Sequence, residues 1–332
     1  SWSLVQAFTP SDTGWPRCTY YRVHAIRSAH SSAWVMWLNA QNCQSCPAGS
    51  KGKCFLTGTA TELGSRFVYH GVGNVRYQSA GGTGDFSLFT DDSNPRVPSS
   101  YIIYKRSGGA PGEMAHRMTL QRLTPDLLHG DGDPNDTSHV ANNNSAGIFG
   151  APFVEAPEMF VRRGVYYALF GACCAFCEVG TGIGVYAAPS PLGPWLAQGN
   201  IGCNATTAQL GGDQCGCGMP MPSTYAVAGQ CGAARAVSGA RSVTYAQQNS
   251  VIVVRRTAGA LLAAEPTFIW TGDRWQSACT ATVAAQGLPA TDTELHCVKA
   301  WDLQYWAPLK WDESVVPPLP MQLVWLQNWT VL

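Results

Sequence analysis

The sequence has little charge, and the charges it has cancel. Lys, Arg, Asp and Glu make up 13% of its 332 residues, whereas an average soluble domain carries about 25%. The 21 basic residues balance 21 acidic ones, and no basic block occurs along the chain. Nucleic acids and anionic membrane surfaces are bound by concentrated positive charge. We therefore expect no nucleic acid among the partners of this protein.

Long hydrophobic runs are also missing. The longest apolar run, residues 165–177, stops at Glu178 and is shorter than the ~20 residues that a membrane-spanning helix needs. We therefore expect no membrane span. The chain opens Ser-Trp-Ser-Leu-Val-Gln, without an initiator Met or a hydrophobic leader. We interpret it as a mature or excised chain whose targeting segment lies outside it.

Convincing amphipathic helices are few, and short strands dominate instead. Runs of β-branched and aromatic residues alternate with clusters of Gly, Pro, Asn and Ser, and the chain contains 35 Gly and 21 Pro. The predicted strands include residues 34–38, 101–104, 165–170, 250–254 and 266–270. Such evenly spaced strands predict an all-β architecture of repeated small sheets.

A weak internal repeat supports this prediction. The segment 34–38 followed by 58–67 resembles the segment 166–170 followed by 185–195. Each copy contains two strands and then a Leu-Gly turn closed by an aromatic residue. This order is typical of a β-propeller blade, a four-stranded sheet that packs on its neighbours around a central channel.

Cysteines are abundant, and together with glycosylation signals they indicate the secretory route. The chain has 13 cysteines, more than is usual in a cytosolic enzyme. Four N-x-[ST] sequons predict exposed glycosylation sites, at Asn135, Asn143, Asn204 and Asn328. Zinc binding by the cysteines is the alternative, but a second C-x2-C and a nearby His pair are lacking, so disulfides are favoured. The odd number leaves one thiol free or paired between chains.

Seven motifs in order along nearly the whole chain resemble glycoside hydrolase family 43, most closely its galactan-degrading branch of exo-β-1,3-galactanases. The strings Glu155-Ala-Pro-x-Met-Phe, Gly164-x-Tyr-Tyr and Ala188-x-Ser-x-Leu-Gly-Pro-Trp195 match the blade that carries the acid in this family. The other matches lie at residues 15–17 with 34–37, 85–92 with 101–104, 120–126, 246–249, 270–275 and 303–309. The resemblance implies one domain over residues 1–332, a five-bladed β-propeller with its active site at the channel mouth.

Two features depart from the family pattern. The first blade of the family has no counterpart before Trp15, so either the chain was cut from a longer one or its two ends complete a reduced ring. Cysteine-bearing loops at residues 43–54 and 203–231 are the second departure. They suggest a cell-wall or fibre setting.

The resemblance implies three catalytic side chains. Glycosidic cleavage needs a carboxylic acid that protonates the leaving oxygen, and Glu155 occupies that position; partial burial would help it to keep its proton. Asp85 matches the second carboxylate, which holds and tunes the acid, and Gln247 matches the glutamine that stands in the base position. The alternatives are a rim carboxylate paired with Arg162 or Arg163, a turn-capping Asp85 and a Gln247 that only donates hydrogen bonds in the channel.

The matched segments also imply residues that bind substrate and one disulfide. Sugar-binding candidates are Asp273, Trp275, Trp301, Gln304 and Trp306, although aromatic residues in propellers more often pack between blades. The family pattern implies a bond from Cys173 or Cys174 to Cys203. We expect neither a metal nor a cofactor.

Two functions of different class follow. The first is a secreted glycoside hydrolase that acts on β-linked galactan or arabinogalactan-type glycans, and the retained Glu155, Asp85 and Gln247 favour it. The second is a non-catalytic propeller that binds glycan or assembles into an extracellular matrix, cell wall or filament, which the absent blade and the cysteine loops favour. Both place the protein outside the cell, with polysaccharide or glycoprotein glycan as partner and self-assembly as a further option.

Overall fold

The computed structural model describes residues 14–78, 82–93, 96, 98–106, 116–133, 140–150, 154–172, 180–203, 242–255, 265–274 and 303–329, and every regular element in these ranges is a β-strand. The strands are β1 Thr19–Arg27, β2 Trp34–Gln41, β3 Cys54–Ala60, β4 Val68–Val72, β5 Thr83–Asp91, β6 Ser99–Arg106, β7 Met118–Arg122, β8 Ser145–Phe149, β9 Val154–Arg162, β10 Val165–Ala172, β11 Gly184–Ala188, β12 Leu196–Asn200, β13 Gln247–Val254, β14 Thr267–Arg274, β15 Leu303–Pro308, β16 Trp311–Asp312 and β17 Leu319–Pro320. The all-β prediction is confirmed. The ranges above contain no helix with the length and apolar character that crossing a bilayer requires.

The strands form four main sheets in which neighbours in the chain are neighbours in the sheet. Strands β1–β4, β5–β8 and β9–β12 each make a four-stranded sheet, and β13–β15 make a three-stranded one. A short antiparallel ladder, β16–β17, follows. Sequential order within small sheets is the blade arrangement of a β-propeller. Four blades are therefore present in the described part, and the fifth stays a prediction.

Four of the five predicted strand segments lie wholly within observed strands, and the fifth, residues 266–270, begins one residue before β14. Residues 34–38 fall in β2 and residues 101–104 in β6, while residues 250–254 fall in β13. The interior of β2 is buried at every position from Val35 to Ala40. A strand covered on both faces needs a continuous apolar run rather than an alternating one, which explains why these segments carry the strongest sequence signal.

The internal repeat also corresponds to structure. Leu63-Gly64 lies in the turn between the third and fourth strands of the first sheet, and Leu192-Gly193 lies at the same place in the third sheet. The closing aromatic residues, Phe67 and Trp195, immediately precede the fourth strand in each case. The repeat is thus a repeat of blade geometry.

The chain divides into two compact units, each described here by itself. The first unit contains residues 1–155, 161–166 and 188–195, and the second contains residues 156–160, 167–187 and 196–332. Because both units draw on the sheet β9–β12, the division does not decide the predicted single domain, which stays a prediction.

Aromatic side chains fill the core of the first unit. Trp37 is fully buried and its Nε1 donates a hydrogen bond to the carbonyl of Leu127 at 2.8 Å. Phe55 packs edge-on against Phe86 and Tyr104, with ring centroids 4.8 and 5.7 Å away. These contacts join the first two sheets and so fix the strands β1 and β5.

The second unit has an aromatic core of its own. Phe160, Tyr167, Phe268 and Trp311 contact one another with ring centroids 5.1 to 6.2 Å apart. Phe160 is 3% exposed and Phe268 is 2% exposed. Burial of several aromatic rings of this size supplies a large share of the stability of a unit.

Disulfides staple the loop between β2 and β3. Cys18 is bonded to Cys43, and Cys46 is bonded to Cys54. Cys203 is also disulfide-bonded, and its partner lies outside the described residues, as do Cys173 and Cys174. The pairing of Cys203 with one of these two therefore stays a prediction. Within the described ranges, no three His, Cys, Asp or Glu side chains form a group that could hold a metal ion.

Candidate functional site

Glu155 lies at the start of β9 and its side chain is buried. The residue is 6% exposed, and its Oε2 accepts a hydrogen bond from Nζ of Lys105 at 3.0 Å. The next residue, Ala156, has a φ of 56°, a left-handed conformation that costs a non-glycine residue about 1–2 kcal/mol. Strain of this kind persists where the surrounding structure holds a side chain in a defined place. The structure therefore pairs Glu155 with a buried lysine that the sequence did not indicate.

The second predicted carboxylate, Asp85, lies across the β5–β6 ladder from Lys105. In this ladder Thr83 pairs with Arg106 and Phe86 pairs with Tyr104, so the bulge that contains Asp85 lies opposite Lys105. The side chain of Asp85 forms an ion pair with Arg22, Nε to Oδ2 at 3.5 Å. In the first unit, Glu155 is thus bonded to Lys105 and Asp85 to Arg22.

Other basic groups surround this ion pair. Burial, and then the charges of Lys105 and Lys53, lower the pKa of His116 to about 3. The pKa of Lys53 is lowered by its partial burial and then by Lys105 and Lys51. His116 also joins two strands through its backbone, since its N–H donates to Arg106 and its carbonyl accepts from Val154, at 3.0 and 2.9 Å. Glu155 is therefore bonded to a lysine whose charge also lowers the pKa values of His116 and Lys53.

The candidate residues occupy matching places in successive sheets. Asp85, Glu155 and Gln247 all lie within the first three residues of the first strand of their sheet, in β5, β9 and β13. Each of these strands is irregular there, with bulges at residues 84–85 and 249 and the positive φ of Ala156. Bulges re-aim side chains and are frequent next to active sites. The fold therefore presents the three candidates in an equivalent way.

Gln247 begins a polar row across the last blade. It is 4% exposed and pairs with Asp273, which in turn pairs with Gln304. Oδ1 of Asp273 accepts two amide hydrogen bonds, from Asn249 and from Gln304, both at 3.0 Å. Residues opposite each other in a ladder point to the same face of a sheet, so these side chains share one face.

Trp306 continues this face and is 44% exposed. Its Nε1 donates a hydrogen bond to Oε1 of Gln304 at 3.1 Å. The structure thus brings together three of the five predicted sugar-binding residues, namely Asp273, Gln304 and Trp306. The remaining two, Trp275 and Trp301, lie outside the described residues.

Sequence reasoning missed Lys105, His116 and Asn249. Lys105 directly follows the predicted apolar strand 101–104, and this position was the one available signal that its charge needs a buried partner. Asn249 lies in the bulge of β13. This bulge arises from the pairing of β13 with β14, so the sequence of β13 alone does not indicate it. Of the sequons, Asn143 and Asn328 are exposed, while Asn135 and Asn204 lie outside the described residues.

No family model and no curated protein matches this sequence. Among solved structures, an exo-β-1,3-galactanase from Phanerochaete chrysosporium, crystallised as a glutamate-to-glutamine variant with β-1,3-galactotriose, has a TM-score of 0.54 at 15% identity, covering 92% of this chain and 49% of its own. A glycoside hydrolase family 43 β-1,3-galactosidase bound to galactodeoxynojirimycin has a TM-score of 0.55 at 15% identity, covering 95% of this chain and 77% of its own. An exo-β-1,3-galactanase from Clostridium thermocellum has a TM-score of 0.50 at 17% identity, covering 89% of this chain and 47% of its own.

The likeness shows the fold. The similarity in fold covers most of this chain, at 15% and 17% identity to the two exo-galactanases. This chain in turn spans about half the length of those two proteins. The predicted resemblance to galactan-degrading members of family 43 is therefore matched at the level of architecture.

Proposed function

We propose that the protein is a glycoside hydrolase that acts on β-linked galactan or arabinogalactan-type glycans, with Glu155 as its general acid. The observation that carries the proposal is the position of Glu155, buried at the start of the first strand of its sheet, with Asp85 and Gln247 at equivalent positions in two other sheets. Support comes from the solved structures of similar fold, which include one with β-1,3-galactotriose.

Each residue has a separate role in this proposal. Glu155 donates its proton to the glycosidic oxygen as the bond to the leaving sugar breaks. Gln247 has an amide that is too weak a base to remove a proton, so it orients the attacking water through its carbonyl oxygen, and the proton that this water loses passes to solvent. Asp85, held by Arg22 at 3.5 Å, fixes the surroundings of the acid.

Lys105 adds a condition to this mechanism. Nζ of Lys105 donates a hydrogen bond to Oε2 of Glu155 at 3.0 Å, whereas the proposed acid must direct its own proton at the glycosidic oxygen. A sugar that enters the site must therefore displace Lys105 from Glu155. Its hydroxyl groups can then accept hydrogen bonds from the displaced ammonium.

The same ion pair favours a second candidate function. A buried Lys–Glu pair is also a structural device, because each charge compensates the other. On that basis the chain is a non-catalytic propeller that binds glycan or forms part of an extracellular matrix, cell wall or filament. The two disulfides near the N-terminus support an extracellular location for either function.

Incubation with β-1,3-galactan, followed by chromatography of the products, tests the choice. The hydrolase proposal expects galactose or short galactan fragments, with much less product from β-1,4-galactan and arabinan as matched controls. Retained binding to galactan with no product from any of these glycans would favour the non-catalytic function.

A further inference from the structure

A chain of hydrogen bonds fixes the exposed ring of Trp306. Its indole Nε1 donates to Gln304 at 3.1 Å, Gln304 donates onward to Asp273 at 3.0 Å, and Asn249 donates to the same Asp273 oxygen at 3.0 Å. Both ends of the Gln304 amide are used in this relay. The ring and the carboxylate are therefore held in one arrangement before any ligand arrives, which lowers the entropic cost of binding.

The ring of Trp306 is exposed to solvent, whereas the ring of Trp325, another exposed tryptophan in this unit, contacts neighbouring side chains. Trp325 is 46% exposed, but its ring stacks on Tyr305 at 4.4 Å and lies 5.0 Å from the guanidinium of Arg274. No ring contact involving Trp306 occurs among the described residues. A single exposed aromatic residue is ordinary on a protein surface, but one that is oriented by a three-bond relay is a built feature.

The polar groups around the ring select the ligand. Both amide donors bond to Oδ1 of Asp273, and a carboxylate has a second oxygen that can accept from donors such as hydroxyl groups. On this face the ladder pairs Trp306 with Thr271 and Gln304 with Asp273. Of these four residues, Asp273 is the charged one. A negative charge disfavours sulfated or uronic-acid chains, whereas a neutral sugar offers hydroxyl donors together with a C–H face for the ring.

A β-strand from another protein fits this edge less well. Strand addition needs free backbone groups along the edge strand, and the carbonyl of Trp306 already accepts a hydrogen bond from Nε1 of Trp329 at 2.6 Å. This contact occupies the backbone acceptor beside the ring. The side chain of Trp306, rather than its backbone, is thus the part offered to a partner.

We propose that Trp306, Gln304, Asp273 and Asn249 form a preformed subsite for a neutral, hydroxyl-rich glycan chain, which binds whether or not Glu155 is catalytically active. The subsite lies wholly within the second unit. It rests on the proposed function only for the choice of galactan as the first probe.

Affinity electrophoresis through gels that contain soluble β-1,3-galactan or arabinogalactan tests this subsite. The protein carries Glu155→Gln throughout, so that turnover does not consume the probe. We expect Trp306→Ala to weaken retardation about tenfold, the equivalent of 1.4 kcal/mol, Trp306→Phe to weaken it less, and Asp273→Asn to weaken it by removing the charged acceptor. Trp325→Ala is the matched control, because it deletes an equally exposed tryptophan whose ring is already occupied.

Three results would overturn the subsite. They are unchanged binding by Trp306→Ala, equal weakening by Trp306→Ala and Trp325→Ala, and no retardation of the parent protein by any of the neutral glycans. Urea midpoints of each variant, measured in parallel, separate lost binding from lost folding. Binding to galactan without hydrolysis by the unmutated protein would contradict the hydrolase proposal and leave the subsite standing.

Discussion

Replacing Lys105 with Met is expected to destabilise the protein strongly, because it removes the ammonium that bonds to a buried carboxylate. Lys105 is 8% exposed and Glu155 is 6% exposed, and their charged atoms are 3.0 Å apart. At an effective dielectric constant of about 20, two unit charges at this distance attract by about 5 kcal/mol. Desolvation offsets much of this attraction, but removal of one partner also removes the compensation that it gave to the other buried charge. We expect Lys105→Met to lower the free energy of unfolding by about 3–5 kcal/mol at pH 7.

A double-mutant cycle with Lys105→Met and Glu155→Gln isolates the pair. Because the double variant removes both charges of the pair, we expect it to lose less stability than the sum of the single variants, with a coupling energy of about 2 kcal/mol. Urea denaturation monitored by tryptophan fluorescence measures all four proteins, and Lys310→Met, an exposed lysine, serves as control with a change within about 0.5 kcal/mol.

A single-variant loss below about 0.5 kcal/mol, or strict additivity in the cycle, would refute the reasoning that this ion pair is buried and closely coupled.

Three further predictions concern the first unit, the cysteines and the surface. The pKa of His116 is lowered from 6.5 to about 3, so between these pH values the unfolded chain binds a proton that the folded chain does not bind. The free energy of unfolding should therefore fall from pH 6.5 toward pH 3 at up to about 1.4 kcal/mol per pH unit. His116→Gln should flatten that slope in urea titrations, and an unchanged slope would contradict the assignment. Peptide mapping without reduction should recover Cys203 linked to Cys173 or Cys174, and a different partner would remove that pairing. Expression through a eukaryotic secretory pathway should add glycan at Asn143 and Asn328, which are exposed, detectable as a mass loss on enzymatic deglycosylation; an unmodified mass would count against both sites.

Local sequence signals predicted most of the fold. Continuous apolar runs such as residues 34–38 and 101–104 became the central strands β2 and β6, because a strand buried on both faces must be apolar throughout. The Leu-Gly turns at Leu63 and Leu192 predicted where the third strand ends. These features depend on neighbouring residues alone, so the sequence contains them.

The candidate site was predictable only in part, because its contacts are distant in the chain. Lys105 and Glu155 are 50 residues apart, and no local pattern pairs a lysine at a strand end with a carboxylate in another sheet. The bulges that present Asp85 and Asn249 arise from register between strands, which one strand cannot specify. The relay from Trp306 to Asp273 likewise requires the pairing of β14 with β15.

The most direct test of the proposed hydrolase is the rate at which Glu155→Gln releases sugar from β-1,3-galactan. An amide keeps the shape of the side chain and loses the proton, so we expect the rate to fall by a factor of about 10² to 10⁴, with binding in affinity gels retained. Glu158→Gln is the matched control, since Glu158 is equally buried in the same strand and accepts a hydrogen bond from Ser250 at 2.7 Å. A Glu155→Gln protein that hydrolyses galactan as fast as the parent, or a larger loss in Glu158→Gln, would contradict the assignment of Glu155 as the acid.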